Sequence, residues 1–169
     1  MPITKVIFDL DLTLIDSKIA EPFRPRNWPK VYELIPSFQE YNGIREVLTF
    51  LKQSSIDYCI VTSSPEPYCI KVCHQWQFCS TYTVCYHDVG KAQIKPHPAP
   101  MNLALAKLNA SADSILSFGD KDIDIISSNA AGIRSVACLW GAENQKKLLG
   151  ANPAFVANTP IDIIALLNG

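Results

Sequence analysis

The chain has 169 residues, 48% of them apolar and 18% charged, with a net charge of -1. That length suits one domain able to bury roughly 70% of its unfolded surface, and the composition excludes a disordered chain or an electrostatic footprint for nucleic acid. No Lys/Arg run, no secretory h-region and no apolar stretch of the ~18 residues that span a bilayer is present, so a cytoplasmic protein with no membrane or nucleic-acid partner is expected.

Short apolar runs alternate with helix-like segments, the pattern of βα units. Residues 4–8 form a first strand, which ends in the carboxylates Asp9 and Asp11. Residues 17–42 break the alternation with Pro22, Pro25, Pro29 and Pro36 among Trp28, Tyr32 and Phe38. The segment is too long for a tight connection and too short for a second domain, so it reads as an excursion over the sheet's carboxyl edge. Residues 43–52 read as a helix with Ile44, Val47, Leu48 and Leu51 on one face. A second strand over 58–61 ends at Thr62-Ser63-Ser64-Pro65; a helix over 67–77 and a third strand over 82–86 follow. Beyond the loop 88–100, a helix carries Met101, Ala104, Leu105 and Leu108 on one face. A fourth strand over 115–118 stops at Gly119-Asp120, and the helix 122–131 is closed by Gly132 at C′. A fifth strand covers 135–139, and Thr159-Pro160 reads as N-cap and N1 of a last helix. The expected class is α/β, a Rossmann-like, mainly parallel sheet with helices on both faces, in one domain over residues 1–169.

Six cysteines and no signal peptide point to reduced thiols. A zinc site from Cys69, Cys73, His74, Cys79, Cys85 and His87 would need spacings that match no standard module. Cys69 and Cys73, one helical turn apart, fit a core-facing pair.

The chemistry gathers at strand ends, where ligands bind in open α/β sheets. Two carboxylates one residue apart are costly there unless a cation or a reaction needs them. One can attack phosphorus and the other protonate the leaving group. Thr62-Ser63, Lys95 and Asp120/Asp124 stand in the matching places after later strands. Each alone reads blandly, as a helix start, a loop lysine or first-turn acids; together they meet the needs of one reaction. Two like charges 4 Å apart repel by about 4 kcal/mol at an effective dielectric of 20, so clustered carboxylates beside a phosphate need Lys95 and a hard cation such as Mg²⁺.

With these four clusters in order, the chain resembles the haloacid dehalogenase-like (HAD) superfamily of phosphohydrolases. The motifs are Asp9-Leu10-Asp11-Leu12-Thr13-Leu14, Thr62, Lys95-Pro96-His97-Pro98 and Gly119-Asp120-Lys121-Asp122-Ile123-Asp124. Leu12 stands where Gly is often found. The resemblance implies Asp9 as nucleophile, forming an aspartyl-phosphate, and Asp11 as general acid and then base. It implies Mg²⁺ held by Asp9, the Asp11 carbonyl and Asp120, with Asp124 supporting its waters. Thr62 and the Ser63 N–H would bind phosphoryl oxygens, and Lys95 would neutralise Asp9 and the phosphate. The implied activity is a Mg²⁺-dependent phosphatase that hydrolyses a phosphate monoester, with a phosphorylated small molecule as substrate.

Other functions of the same fold fit less well. Dehalogenases lack the second acid of the first motif, whereas Asp11 is present. Phosphomutases usually carry a larger helical cap than residues 17–42 provide. A P-type ATPase would have Thr in place of Asp11, and a non-catalytic binding module would not need the full polar set. The short insertion implies a minimal cap, with Arg24, Arg26 and Trp28 as candidate leaving-group contacts.

Overall fold

In the computed structural model, which describes residues 2–169, the chain runs β1 (Lys5–Phe8), β2 (Ile15–Asp16), α1 (Trp28–Leu34), β3 (Gln39–Glu40), α2 (Ile44–Gln53), β4 (Asp57–Val61) and α3 (Glu66–Trp76). It continues through β5 (Tyr82–Val84), α4 (Ala99–Leu108), β6 (Ile115–Gly119), α5 (Asp122–Ala130), β7 (Arg134–Cys138), α6 (Gln145–Gly150), β8 (Phe155–Ala157) and α7 (Asp162–Asn168). Six strands form one parallel sheet in the order β5-β4-β1-β6-β7-β8. The chain leaves central β1 toward β4 on one side and β6 on the other, which opens a crevice at the carboxyl ends of these strands. Phe8 is in register with Ile60 and Phe118, so Asp9, Thr62 and Asp120 emerge at nearly one level.

The sheet is buried on both faces, which is why its strands read as short, mainly apolar runs. Val6, Phe8, Ile60 and Phe118 face a core shared with Ile44, Val47 and Leu51 of α2, Tyr68 and Val72 of α3, and Ile163 of α7. Ile7, Cys59 and Val61 face the opposite side, against Met101, Ala104 and Leu108 of α4. Ile125 of α5, Ala137 and Leu148 of α6 complete that second layer. No helix among the described residues is long and apolar enough to cross a membrane.

Seven elements differ from the sequence reading; among them α1, α6, β2 and β3, two to seven residues long, were not expected because they are too short to carry a readable period. β8 was not expected: it has three residues at the sheet edge, with Phe155 and Val156 exposed, too short and too wet for a clear apolar run. β5 ends at Val84, before the expected 86, because the Cys85 N–H donates to Asp88 Oδ2 (2.7 Å) and starts a turn. The last helix begins at Asp162 and not after Thr159. The Asp162 carboxylate accepts the N–H groups of Asn158 (2.8 Å) and Thr159 (2.9 Å), which fixes those residues in a preceding turn. By contrast, α5 ends as expected, with Gly132 at φ 75°.

Residues 17–42 leave the sheet through a two-stranded antiparallel ribbon, β2 with β3. Asn27 caps α1 by accepting the Lys30 N–H (3.2 Å). Val31, Ile35 and Phe38 bury beneath the segment, and the Trp28 ring lies 5.6 Å from that of Tyr68. The excursion is thereby pinned to α3, over the carboxyl edge of β1 and β4.

Candidate active site

Lys95 joins three separate stretches of chain at one point. Its ammonium donates to Asp9 Oδ1 (2.7 Å), Asp124 Oδ1 (2.6 Å) and the Val61 carbonyl (2.9 Å). The side chain is 2% exposed, so these contacts replace its hydration. Burial alone would lower its pKa, but Asp124 and Asp9 outweigh burial and raise it. Ser127 Oγ donates to the His97 carbonyl (2.7 Å), tying the Lys95 loop to α5. The Asp9 N–H donates to the Phe118 carbonyl (2.9 Å), continuing the sheet past the end of β1. Burial pushes the Asp9 carboxyl up to about 6, against the pull of Lys95.

Asp11 is clamped by four donors. Arg24 Nη2 (2.9 Å), Ser17 Oγ (2.7 Å) and Tyr68 Oη (2.5 Å) all reach Oδ1, while Ser64 Oγ (3.0 Å) reaches Oδ2. Burial would raise the Asp11 pKa, but Arg24 and these hydrogen bonds hold it below the usual carboxylate range. The Arg24 guanidinium also bonds Tyr68 Oη and Glu21 (3.1 Å), and lies 4.7 Å from the Tyr68 ring centroid. Trp28 backs the same tyrosine. Arg26 is exposed and does not line the cavity, so of the expected leaving-group contacts the structure brings in only Arg24 and Trp28. Arg24 is already engaged by a carboxylate of the first motif.

Thr62 and Ser63 follow β4 directly. The Thr62 N–H donates to the Val84 carbonyl (2.9 Å), and its Oγ1 accepts the Ser64 N–H (3.1 Å), which shapes a tight turn beside Asp9. Leu12 lies at φ 65°, in the left-handed region, which accounts for the glycine often found at this position. Gly119 is required for closeness: a Cβ there would lie 2.3 Å from Cβ of Asp124. The cavity at this edge, of about 340 Å³, is lined by Asp9, Asp11, Thr62, Ser63, Lys95 and Asp124 together with Glu21, Arg24, Trp28 and Lys121.

A profile described as haloacid dehalogenase-like hydrolase matches residues 25–138. The chain belongs to this family. Among curated proteins, a phosphoglycolate phosphatase of Xanthomonas campestris is 32% identical over 129 residues, 75% of this chain. The chain spans 58% of that relative's length. The pyrophosphatase PpaX of Oceanobacillus iheyensis is 25% identical, over 99% of this chain and 98% of its own. Among solved structures, a haloacid dehalogenase-like family hydrolase from Streptococcus pneumoniae superposes with a TM-score of 0.80 at 18% identity, covering 97% of this chain and 98% of that one.

The carboxylates of this family member carry a charge that its own residues leave unbalanced. Ligand oxygens of Asp9, Asp120 and Asp124 lie within 4.8 Å of one another. Asp120 Oδ1 accepts from Thr13 Oγ1 (2.8 Å), yet its Oδ2 is buried with no hydrogen-bond partner. Burial first, then Asp9 and Asp124, push the Asp120 carboxyl up to about 9. An unpartnered buried oxygen among three carboxylates fits a hard divalent cation with oxygen ligands. Both Asp124 oxygens are already in use, by Lys95 and by the Lys121 N–H (3.0 Å), which suits a supporting place for it. The cysteines do not form such a group: among the described residues only the aspartate trio brings three metal-ligating side chains together. All six cysteines are free, with Cys69 and Cys73 sulfurs 4.0 Å apart.

Sequence reasoning missed Tyr68 and Ser64 as partners of Asp11, and Thr13 as the partner of Asp120. Tyr68 sits in a helix where an aromatic reads as core, and only its hydroxyl gives it a polar role. Thr13 lies within the first motif and Ser17 just beyond it, but nothing in the chain shows which carboxylate each one meets.

Proposed function

We propose that this chain is a Mg²⁺-dependent phosphatase of the cytoplasm that hydrolyses a small phosphate compound through an aspartyl-phosphate on Asp9. Residues 1–169 act as one hydrolase domain with residues 17–42 as a minimal cap. The observation that carries this reading is the Lys95 ammonium bonded to both Asp9 and Asp124 beside the unpartnered Asp120 oxygen. It holds one Asp9 oxygen and leaves the other to attack.

Phosphoryl oxygens bind to Thr62 and the Ser63 N–H, and Lys95 offsets the charge that gathers on Asp9 and the phosphate. Asp9 displaces the leaving group in line. Asp11, held as a carboxylate before substrate binds, takes up a solvent proton as the negatively charged phosphate settles beside it, gives that proton to the departing oxygen, and then takes one from the water that attacks the aspartyl-phosphate. Ser17, Tyr68 and Arg24 fix the Asp11 carboxyl, so little reorganisation is needed at the moment of transfer. Asp9, the Asp11 carbonyl and Asp120 would hold Mg²⁺, with Asp124 supporting its water shell. Bound there, the ion supplies positive charge that the carboxylates and the phosphate otherwise lack. Free thiols throughout the chain suit a reducing compartment.

The names of the relatives, a phosphoglycolate phosphatase and a pyrophosphatase, favour a small phosphate substrate, as does the size of the cavity. A screen of phosphorylated metabolites for phosphate release, with and without Mg²⁺, tests the proposal. Release that needs both Mg²⁺ and Asp9 supports it. Failure to release phosphate from any compound in the screen, or turnover retained by Asp9→Asn, would overturn it.

A further inference from the structure

Three cations line the cavity, and two of them are spoken for. Lys95 is saturated by Asp9, Asp124 and Val61, and Arg24 by Asp11, Glu21 and Tyr68. The third is Lys121, between Asp120 and Asp122 of the last motif. Its backbone is fixed, since its N–H donates to Asp124 at the start of α5. Its ammonium makes no ion pair or hydrogen bond among the described residues, and the residue is exposed at the cavity mouth. The nearby acids act on it only from a distance, and each has another engagement. Asp9 and Asp124 bond Lys95, Glu21 bonds Arg24, and Asp120 faces the proposed metal position.

The placement of Lys121 matters as much as its freedom. The phosphoryl group would lie by Asp9, Thr62, Ser63 and Lys95, and the leaving group would extend past Asp11 toward Glu21, Arg24, Trp28 and Lys121. On the phosphatase reading above, we propose that Lys121 is a specificity-determining residue that pairs with a second anion carried by the leaving group. The preferred substrates are therefore small phosphate compounds whose leaving group is itself negatively charged, a carboxylate or a second phosphate. A cavity of about 340 Å³ restricts that anion to a short distance from the scissile bond.

The test compares kcat/KM for 2-phosphoglycolate, inorganic pyrophosphate and p-nitrophenyl phosphate, the last having no second anion. The wild-type protein is expected to prefer one of the first two; which one identifies the second anion as carboxylate or phosphate. Lys121→Ala should reduce that preference, the ratio to p-nitrophenyl phosphate, by about 10- to 100-fold, the scale of one charged hydrogen bond. The loss should fall mainly in KM, and Lys121→Arg should restore most of it. A wild-type protein without preference, or an unchanged ratio in Lys121→Ala, overturns the proposal. If p-nitrophenyl phosphate is still cleaved in an Asp9-dependent way, the phosphatase reading survives that failure. Inactivity on all three substrates overturns the proposal for Lys121, and overturns the phosphatase reading as well when the wider metabolite screen is also negative.

Discussion

Replacing Asp120 by Asn should make the metal-free protein more stable at neutral pH while removing its response to Mg²⁺. Asp120 is 2% exposed, has one hydrogen-bonded oxygen and one without a partner, and its carboxyl is pushed from an ordinary 3.8 up to about 9. A carboxylate with a raised pKa contributes its full stability below the unfolded value and loses it as pH rises through the folded one. At 1.36 kcal/mol per pH unit, the interval from 3.8 to neutrality corresponds to about 4 kcal/mol. Asp9, raised to about 6, loses its share over the lower part of the same window. The two sit in one cluster, so their contributions do not add. Asn removes the charge but leaves a buried amide poorly paired, at a cost of about 1–3 kcal/mol, for a net gain of about 1–3 kcal/mol. Urea denaturation in EDTA at about pH 5.5 and about pH 8 measures this directly. The wild-type protein should be less stable at the higher pH, and Asp120→Asn nearly flat between them. Adding Mg²⁺ at a hundredfold excess over Kd should stabilise the wild type by about 2.7 kcal/mol and the variant far less. A wild-type protein equally stable at both pH values in EDTA, or a variant less stable at the higher one, would refute the argument that this cluster is electrostatically strained.

Asp9→Asn should abolish turnover with the fold intact by circular dichroism, since an amide cannot attack phosphorus. Asp11→Asn should slow hydrolysis by about 10²–10⁴, more for alkyl esters than for p-nitrophenyl phosphate; equal losses would remove Asp11 from proton transfer. Lys95→Met should cost about 3–5 kcal/mol in metal-free denaturation, because it strands Asp9 and Asp124 as buried like charges; a loss below about 1 kcal/mol would contradict the hub described for Lys95. Arg24→Ala should lower kcat/KM alike on substrates with and without a second anion, by about 1–3 kcal/mol, because Arg24 bonds Asp11. A loss confined to anionic leaving groups would transfer the reading role from Lys121 to Arg24.

Local chemistry made much of this protein legible in its sequence. The runs at 4–8, 58–61 and 115–118 feed strands whose central residues are buried on both sheet faces, so they are mainly apolar and announce parallel strands. Asp9, Thr62 and Asp120 stand out because each interrupts such a run where a polar residue has no packing reason to be. Gly132 and the faces of α2 and α4 follow from backbone geometry and helical period, both properties of neighbours in the chain. What only the tertiary structure decided concerns partners distant in sequence. β8 exists because β7 offers it an edge, not because three residues, two of them exposed, favour extension. Arg24, a candidate leaving-group contact by sequence, is bound to Asp11; Tyr68, within a helix, holds that same carboxylate; and Lys121, among the described residues, is the unpaired cation at the cavity mouth. Composition and period report whether a side chain is buried; which charge it meets there depends on how the cap segment and the strand ends come together in space.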